Sequence, residues 1–415
     1  MERVELARWL GAAAPAAPPP TVVVDERDPV AFMGSFAHAV AAGGTVLVVD
    51  PAWGAAERAQ FAALTAPERD SIRSRPAREA GWLCLPTGGS SGTVRLARHD
   101  QNTLAAAVRG CAGHLGVTQM NAVGVLPLHH VSGLVAWMRC ALTSGRYVPW
   151  RWPDLEGGRW PAMGTGDWFL SLVPTQLQRL LGQPEATERL RQFRAVFLGG
   201  GPAWPGLLER AAEAQIPLAP GYGSTETAAM VTALRPEEFA AGRRGCGGPL
   251  PHARVNLAAD ATIQIEADSL FRGYYPHQRE AGPWSTDDRG RWDEHGSLHV
   301  LGRRDATIIS GGEKIAPEEV EAVLRSTGQF ADVAVVGVPE PEWGEVVVAC
   351  YRVGPTPVDL AAAARRVAIE LAPAKRPKHY LPLASWPRNE QGKLNRPELA
   401  AQAAAAMRAL TRPDA

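Results

Sequence analysis

An excess of charge of either sign is missing from this 415-residue chain, in which lysine plus arginine and aspartate plus glutamate each number 43. No global field therefore draws it to nucleic acid or an anionic surface, and any anion must be held by a local site. Cysteine is scarce. The five present (Cys84, Cys111, Cys140, Cys246, Cys350) lie far apart without a CxxC pair, which argues against a cysteine zinc site or a disulfide framework and fits reduced thiols in a cytoplasmic protein. No apolar run reaches the roughly 18 residues needed to cross a bilayer. The start MERVELARWLGAAAPAAPPP lacks the apolar core of a signal peptide. A Walker A loop is missing too, because Thr93 rather than lysine follows Gly92 in the glycine-rich run.

What is present is a normal globular balance, 46% apolar and 21% charged, over a length that calls for two or three domains. Short β-branched runs alternate with amphipathic stretches. The runs are TVVVD (Thr21 to Asp25), GTVLVVD (Gly44 to Asp50), AVGVLPL (Ala122 to Leu128) and AVFLGG (Ala195 to Gly200); the stretches include TLAAAVRGCAGHL (Thr103 to Leu115) and PTQLQRLL (Pro174 to Leu181). This alternation predicts an α/β fold with largely parallel strands. After Gly245 the texture shifts to short strands and turns, which predicts a small β-rich subdomain. A second change falls between Arg303 and Gly312. Beyond it PEEVEAVLRS (Pro317 to Ser326) opens with proline at a first helical position and glutamates in the first turn. With strands over ADVAVVGVPE and EVVVACYRV, it predicts a compact α+β unit.

Several local signals carry chemistry, each with a plainer reading beside it. Thr87, Gly88, Gly89, Ser90, Ser91, Gly92 and Thr93 form a glycine and hydroxyl run whose backbone N–H groups can nest an anion, with Arg95 for charge; alone, it reads sooner as a surface loop. In PGYGSTETA (Pro220 to Ala228) the glycines allow a tight turn, Thr225 offers a hydroxyl and Glu226 a hard oxygen suited to Mg²⁺; the alternative is a strand-to-helix turn capped by Ser224 or Thr225. Asp288, in WSTDDRG, is a bidentate acceptor for a ribose diol and Arg303 a partner for hydroxyls or phosphate, or else the two belong to a surface turn and a salt bridge. Lys393 follows a glycine on the polar loop WPRNEQGKLNR, where an exposed lysine is ordinarily just solvated.

In order and spacing, TGGSSGTVR, PLHHVSG, GYGSTE, STDDRG, GRRDATIISGGEKI and QGKLNR resemble the motif series of the adenylate-forming superfamily of acyl-CoA synthetases, luciferases and peptide-synthetase adenylation domains. The resemblance runs from about Leu85 to Arg396. LPLHHVSGLVAWMR, SLVPTQLQRLL and the short TDDRG form are similar to the o-succinylbenzoate-CoA ligases of menaquinone synthesis. The resemblance implies a large N-terminal adenylation domain of layered α/β subdomains (residues 1–304) and a small mobile α+β C-terminal domain (residues 305–415) hinged near Asp305. It implies a carboxylic acid, ATP and coenzyme A as substrates, with Mg²⁺ as cofactor and an acyl-adenylate as intermediate.

By the same resemblance, Thr87 to Arg95 hold the β- and γ-phosphates, while Thr225 and Glu226 manage the α-phosphate and Mg²⁺. Gly221, Tyr222, Gly223 and Ser224 belong to the ATP/AMP site, Tyr222 packing beside the adenine, and Asp288 and Arg303 take the ribose. Lys393 bridges the carboxylate and α-phosphate. His130, Ser132, Arg139 and Arg179 border the acid pocket, and Gly311, Gly312, Glu313 and Lys314 come against the pantetheine channel. Two positions depart from the pattern: Arg95 replaces the loop's usual lysine, and Asp287 replaces a common glycine and adds negative charge near the nucleotide. Other readings are a ligase for another aryl or medium-chain acid, transfer to a carrier-protein thiol, and a non-catalytic nucleotide-binding protein. A homodimer is compatible with the sequence.

Overall fold

The computed structural model describes residues 3–12, 21–66, 81–87, 93–311, 313–354, 357–388 and 394–410. The first sheet joins β1 (Thr21–Val24), β2 (Thr45–Val48), β3 (Leu83–Pro86) and β4 (Leu96–His99) in that order, parallel except for the β3–β4 pair. The second runs β11-β10-β9-β8-β7-β5-β6, built from β5 (Asn121–Gly124), β6 (Tyr147–Pro149), β7 (Trp168–Leu172), β8 (Ala195–Leu198), β9 (Leu218–Ser224), β10 (Ala229–Ala233) and β11 (Gly248–Pro249). Its strands from β5 to β9 pair in parallel, and β10 and β11 close one edge antiparallel.

Helices Gln101–Leu115 and Val131–Leu142 lie between these sheets. Leu104, Val108, Leu134 and Met138 pack against Val46, Val48, Leu83 and Leu85 of the first sheet. Cys111, Ala112 and Leu115 pack against Phe169, Phe197 and Ala219 of the second. These near-continuous apolar strands and all-round apolar helices are what a layer buried on both faces requires. Helix Gln101–Leu115 begins two residues before the predicted segment, because Asp100 caps it and accepts from the N–H groups of Asn102 and Thr103, both at 2.9 Å. Strand β5 stops at Gly124, short of the predicted Leu128; Pro127 has no N–H to give to a ladder.

The β-rich subdomain is the antiparallel sheet β12 (Ala253–Leu257), β13 (Thr262–Ala267), β14 (Trp284–Trp292) and β15 (Leu298–Arg303). The C-terminal unit is a fourth sheet: β16 (Ile308–Ser310), β17 (Glu313–Ile315), β18 (Val333–Glu340), β19 (Gly344–Arg352) and β20 (His379–Leu383). Helices Pro317–Ser326 and Leu360–Glu370 cover one face of it and Arg396–Leu410 the other. The fold is thus mixed α/β, with a large N-terminal part and a small C-terminal one.

An ion cluster is buried in the small part. Glu321, fully buried, receives Arg396 at 2.8 Å, Arg325 at 3.0 Å and the Val335 N–H at 2.9 Å. Burial alone would raise the Glu321 carboxyl, yet Arg396 and Arg325 hold it below its usual value. Glu321→Gln should therefore strand part of the Arg396 charge and cost about 3 kcal/mol, the low end for breaking a buried pair because Glu318 remains beside Arg396. Urea unfolding of the two proteins measures this; equal midpoints would show that the cluster contributes nothing.

Candidate active site

The glycine-rich run lies between β3 and β4. Its neck is closed where the Thr87 N–H donates to the Arg95 carbonyl at 3.0 Å. Gly88, Gly89, Ser90, Ser91 and Gly92 lie outside the described residues, and Thr93 is exposed. At the neck, the Thr87 hydroxyl and Arg95 Nε are buried without a hydrogen-bond partner. Such groups are costly to bury unless something binds them.

Residues 272–275 run antiparallel beside β4, with Arg272 N–H on the Arg98 carbonyl (2.7 Å) and Tyr275 N–H on that of Leu96 (2.8 Å). This pairing sets Tyr274 against the loop neck. The Arg95 guanidinium lies 4.8 Å from the centre of the Tyr274 ring, and the Tyr274 hydroxyl donates to Glu226 Oε1 at 2.7 Å. Burial, and then the Glu226 carboxylate, push the phenol well above its usual range, so it stays protonated as a donor. Arginine in place of lysine thus has a local reason: a planar cation covers an aromatic face.

Glu226 is buried in the single turn Thr225–Thr227 that ends β9. The strand-to-helix alternative is therefore present alongside the acidic residue, although the cap is made by Thr227, whose hydroxyl accepts from the Ser224 N–H at 2.8 Å. The Ser224 hydroxyl is buried without a partner. Glycine is required at 223, where a Cβ would come within 1.9 Å of the Ala229 carbonyl oxygen. Ala228 and Ala229 both adopt positive φ, 51° and 78°, so the backbone turns sharply just after Glu226.

His99 was not singled out by the sequence reading. Its Nε2 is 2.8 Å from the Thr225 carbonyl and its Nδ1 3.0 Å from the Thr103 hydroxyl. A carbonyl only accepts, so Nε2 carries the proton and Nδ1 accepts from Thr103. Burial pushes the His99 pKa down to about 4. The neutral ring ties β4 to the Glu226 turn. Tyr274 was missed as well; its signal was an aromatic in FRGYYP between two subdomains, with nothing local to show its partner.

Asp288 and Arg303 lie on strands rather than on a surface turn, directly opposite each other on β14 and the edge strand β15, of which Arg303 is the last residue. The Tyr222 hydroxyl donates to Asp288 Oδ2 at 2.7 Å, an arrangement that positions the carboxylate. Burial and the neighbouring Asp288 raise the Tyr222 phenol well above its usual value. Asp287 faces Arg303 (3.4 Å) and Arg304 (3.3 Å), so its charge is compensated locally.

The acid-pocket candidates separate. His130 and Ser132 sit at the start of helix Val131–Leu142, and Arg139 on that helix is 5% exposed, 4.9 Å from the centre of the Phe197 ring. Arg179 is instead half-exposed and paired with Glu156 at 3.0 Å, the geometry of a surface ion pair. Asp305 lies in the turn Arg304–Ala306 between the third and fourth sheets, and Gly311 turns with φ 57° before Glu313 and Lys314 of β17. Gly312 and Lys393 lie outside the described residues; the stem of the Lys393 loop is closed by a bridge between Arg388 and Leu394.

The family model for AMP-binding enzymes matches residues 16–275, and that for the AMP-binding enzyme C-terminal domain matches residues 319–393. The chain belongs to the AMP-binding enzyme family. Among members with assigned names, it is 31% identical to 2-succinylbenzoate-CoA ligase of Enterococcus faecalis and 33% identical to that of Geobacillus kaustophilus, over 74% and 75% of this chain. It spans about two thirds, 67%, of the length of each. In three dimensions it is similar to the o-succinylbenzoate CoA synthetase of Bacillus subtilis in complex with its acyl-adenylate intermediate. The TM-score is 0.77 at 24% identity, over 96% of this chain and 90% of that one. As in other AMP-binding enzymes, a nucleotide must be accommodated, and the buried Thr87 hydroxyl, Ser224 hydroxyl and Arg95 Nε are donors that fit its phosphates.

Tyr274→Phe should lower kcat/KM for ATP about 10- to 100-fold, the range for a hydrogen bond to a charged group, with folding retained. An unchanged kcat/KM would remove Tyr274 from the site. His99 sets a pH dependence. Its folded pKa is below its ordinary 6.5, so its contribution to stability is present above about pH 6.5 and lost as pH falls toward 4. The expected slope is about 1.4 kcal/mol per pH unit in that window, and it should be absent in His99→Asn. The same slope in both proteins would contradict the neutral ring.

Proposed function

We propose that this chain is an ATP-dependent acid-CoA ligase that converts o-succinylbenzoate to o-succinylbenzoyl-CoA through an acyl-adenylate. The observation that carries the choice of acid is Arg139. A guanidinium 95% shielded from solvent has no carboxylate partner among the described residues, and its Nε makes no hydrogen bond. Burying such a charge is tolerable only when an anion completes it. Arg139 lies seven residues beyond Ser132, about 10 Å along the helix at 1.5 Å per residue. That separation suits an aromatic diacid whose reacting carboxylate is at the helix start and whose other carboxylate reaches Arg139. The names of the curated relatives support the same acid.

In this reading the chain neutralises and aligns two anions, the acid and ATP. The loop neck at Thr87 and Arg95 and the Ser224 hydroxyl donate to phosphate oxygens. Tyr274 orients Glu226, which would hold Mg²⁺, and the ion would offset phosphate charge. Asp288, steered by Tyr222, accepts the ribose hydroxyls. Lys393 supplies a point charge between the attacking carboxylate and the α-phosphate. The carboxylate attacks the α-phosphate with release of pyrophosphate, and the CoA thiolate then attacks the acyl carbon and displaces AMP.

The chain divides at Asp305 into residues 1–304 and 305–415. Rotation there withdraws Lys393 and brings Gly311 to Ile315 toward the thiol's path. A position between the third and fourth sheets supports Asp305 as the hinge. A cytoplasmic enzyme is part of the reading, supported by five free cysteines.

Purified protein with ATP, Mg²⁺ and CoA should form thioester from o-succinylbenzoate. Arg139→Leu should raise KM for that acid about 10- to 100-fold while leaving simple benzoates poor or slightly improved. Turnover of a monocarboxylic acid with none of o-succinylbenzoate would overturn the substrate and leave the ligase chemistry standing. Lys393→Ala should slow adenylation about 10²- to 10³-fold, yet still make thioester from supplied acyl-AMP. Equal loss of both half-reactions would contradict the rotation.

A further inference from the structure

Asp50 follows β2, and His129 and His130 end the loop before helix Val131–Leu142, with His130 at the cap position. Strands β2 and β3 are parallel with Leu47 beside Cys84, so Asp50 follows the last paired position by three residues, as Thr87 does on the neighbouring strand. The fold thus brings an acidic residue of the first sheet to the two histidines at the mouth of the layer between the sheets. His129 Nε2 is 3.3 Å from Asp50 Oδ1 and His130 Nε2 is 3.8 Å from Asp50 Oδ2. One ligand atom from each residue lies within 4.8 Å of the others, and the two imidazole rings are 4.4 Å apart. His129 is 3% and Asp50 8% exposed.

These distances favour one chemistry. A charge-assisted N–H···O bond would shorten to about 2.7–2.9 Å, and neither contact does. Around a tetrahedral ion with Zn–N and Zn–O bonds of about 2.0–2.2 Å, neighbouring ligand atoms stand about 3.3–3.6 Å apart; the His129 contact with Oδ1 matches at 3.3 Å, and the His130 contact, which is to the other oxygen, is slightly longer at 3.8 Å. The carboxylate is also held in place, because Asp50 Oδ1 accepts the Ala52 N–H at 2.9 Å. Two imidazoles and one carboxylate form a nitrogen-rich set that suits a borderline transition ion better than Mg²⁺ or Ca²⁺, which prefer all-oxygen shells.

We propose that Asp50, His129 and His130 form a site for a divalent transition metal of the zinc type, supplying three ligands among the described residues. The site shares no ligand with Glu226, so it is separate from the Mg²⁺ that accompanies ATP. A bound ion would staple the end of β2 to the start of helix Val131–Leu142.

The test uses the full chain, stripped with chelator and titrated with Co²⁺ alone, without nucleotide. One Co²⁺ per chain should bind with the visible absorption of a four- or five-coordinate site, be displaced by Zn²⁺, and raise the thermal midpoint. Asp50→Asn and His129→Gln should each weaken binding at least about tenfold, whereas Glu226→Gln should keep it. Should Asp50→Asn fail to fold by circular dichroism, His130→Gln answers the same question. Substoichiometric uptake, or uptake that these ligand variants leave unchanged and Glu226→Gln removes, would overturn the proposal.

Discussion

One hydrogen bond organises the candidate site: the Tyr274 hydroxyl on Glu226, with the Arg95 guanidinium across the other side of the ring. Through it the neck of the glycine-rich loop, the end of β9 and the segment beside β4 are fixed to one another, although they come from three distant stretches of chain. Buried and charge-assisted, it holds a carboxylate in one orientation without neutralising it. A salt bridge from Arg95 to Glu226 would cancel the two charges the chemistry needs. A neutral phenol between them keeps the acid available to a cation and leaves the guanidinium Nε available to an anion.

The same economy appears at Asp288, and Arg139 contrasts with it. Tyr222 steers Asp288 with a neutral donor, while the extra charge of Asp287 is absorbed by Arg303 and Arg304 at the edge of β14. Arg139 is the opposite case, a buried cation with no carboxylate partner among the described residues.

How much of this was legible in the sequence depended on range. The alternation of strands and helices was readable because each segment carries its own period, and Asp100 at a helix start or proline in a loop adjusts the ends by only a few residues. The order of the motifs identified the family. Their mutual support could not be read, since Tyr274 and Glu226 are 48 positions apart and His99 and Thr225 126 apart, and nothing local encodes such pairings. Arg139 and Arg179 already differ in their sequence surroundings. Arg139 interrupts a helix that is apolar on all sides, VSGLVAWMRCAL, whereas Arg179 sits in PTQLQRL among polar neighbours.

The central claim is that the site joins an acid to the α-phosphate before any thiol is present. It is tested most directly by mixing the protein with Mg²⁺, ATP and o-succinylbenzoate in the absence of CoA and quantifying the products of a single turnover. The account predicts about one pyrophosphate and one retained acyl-AMP per chain. Release of ADP and phosphate, or pyrophosphate that appears only once CoA is added, would contradict it.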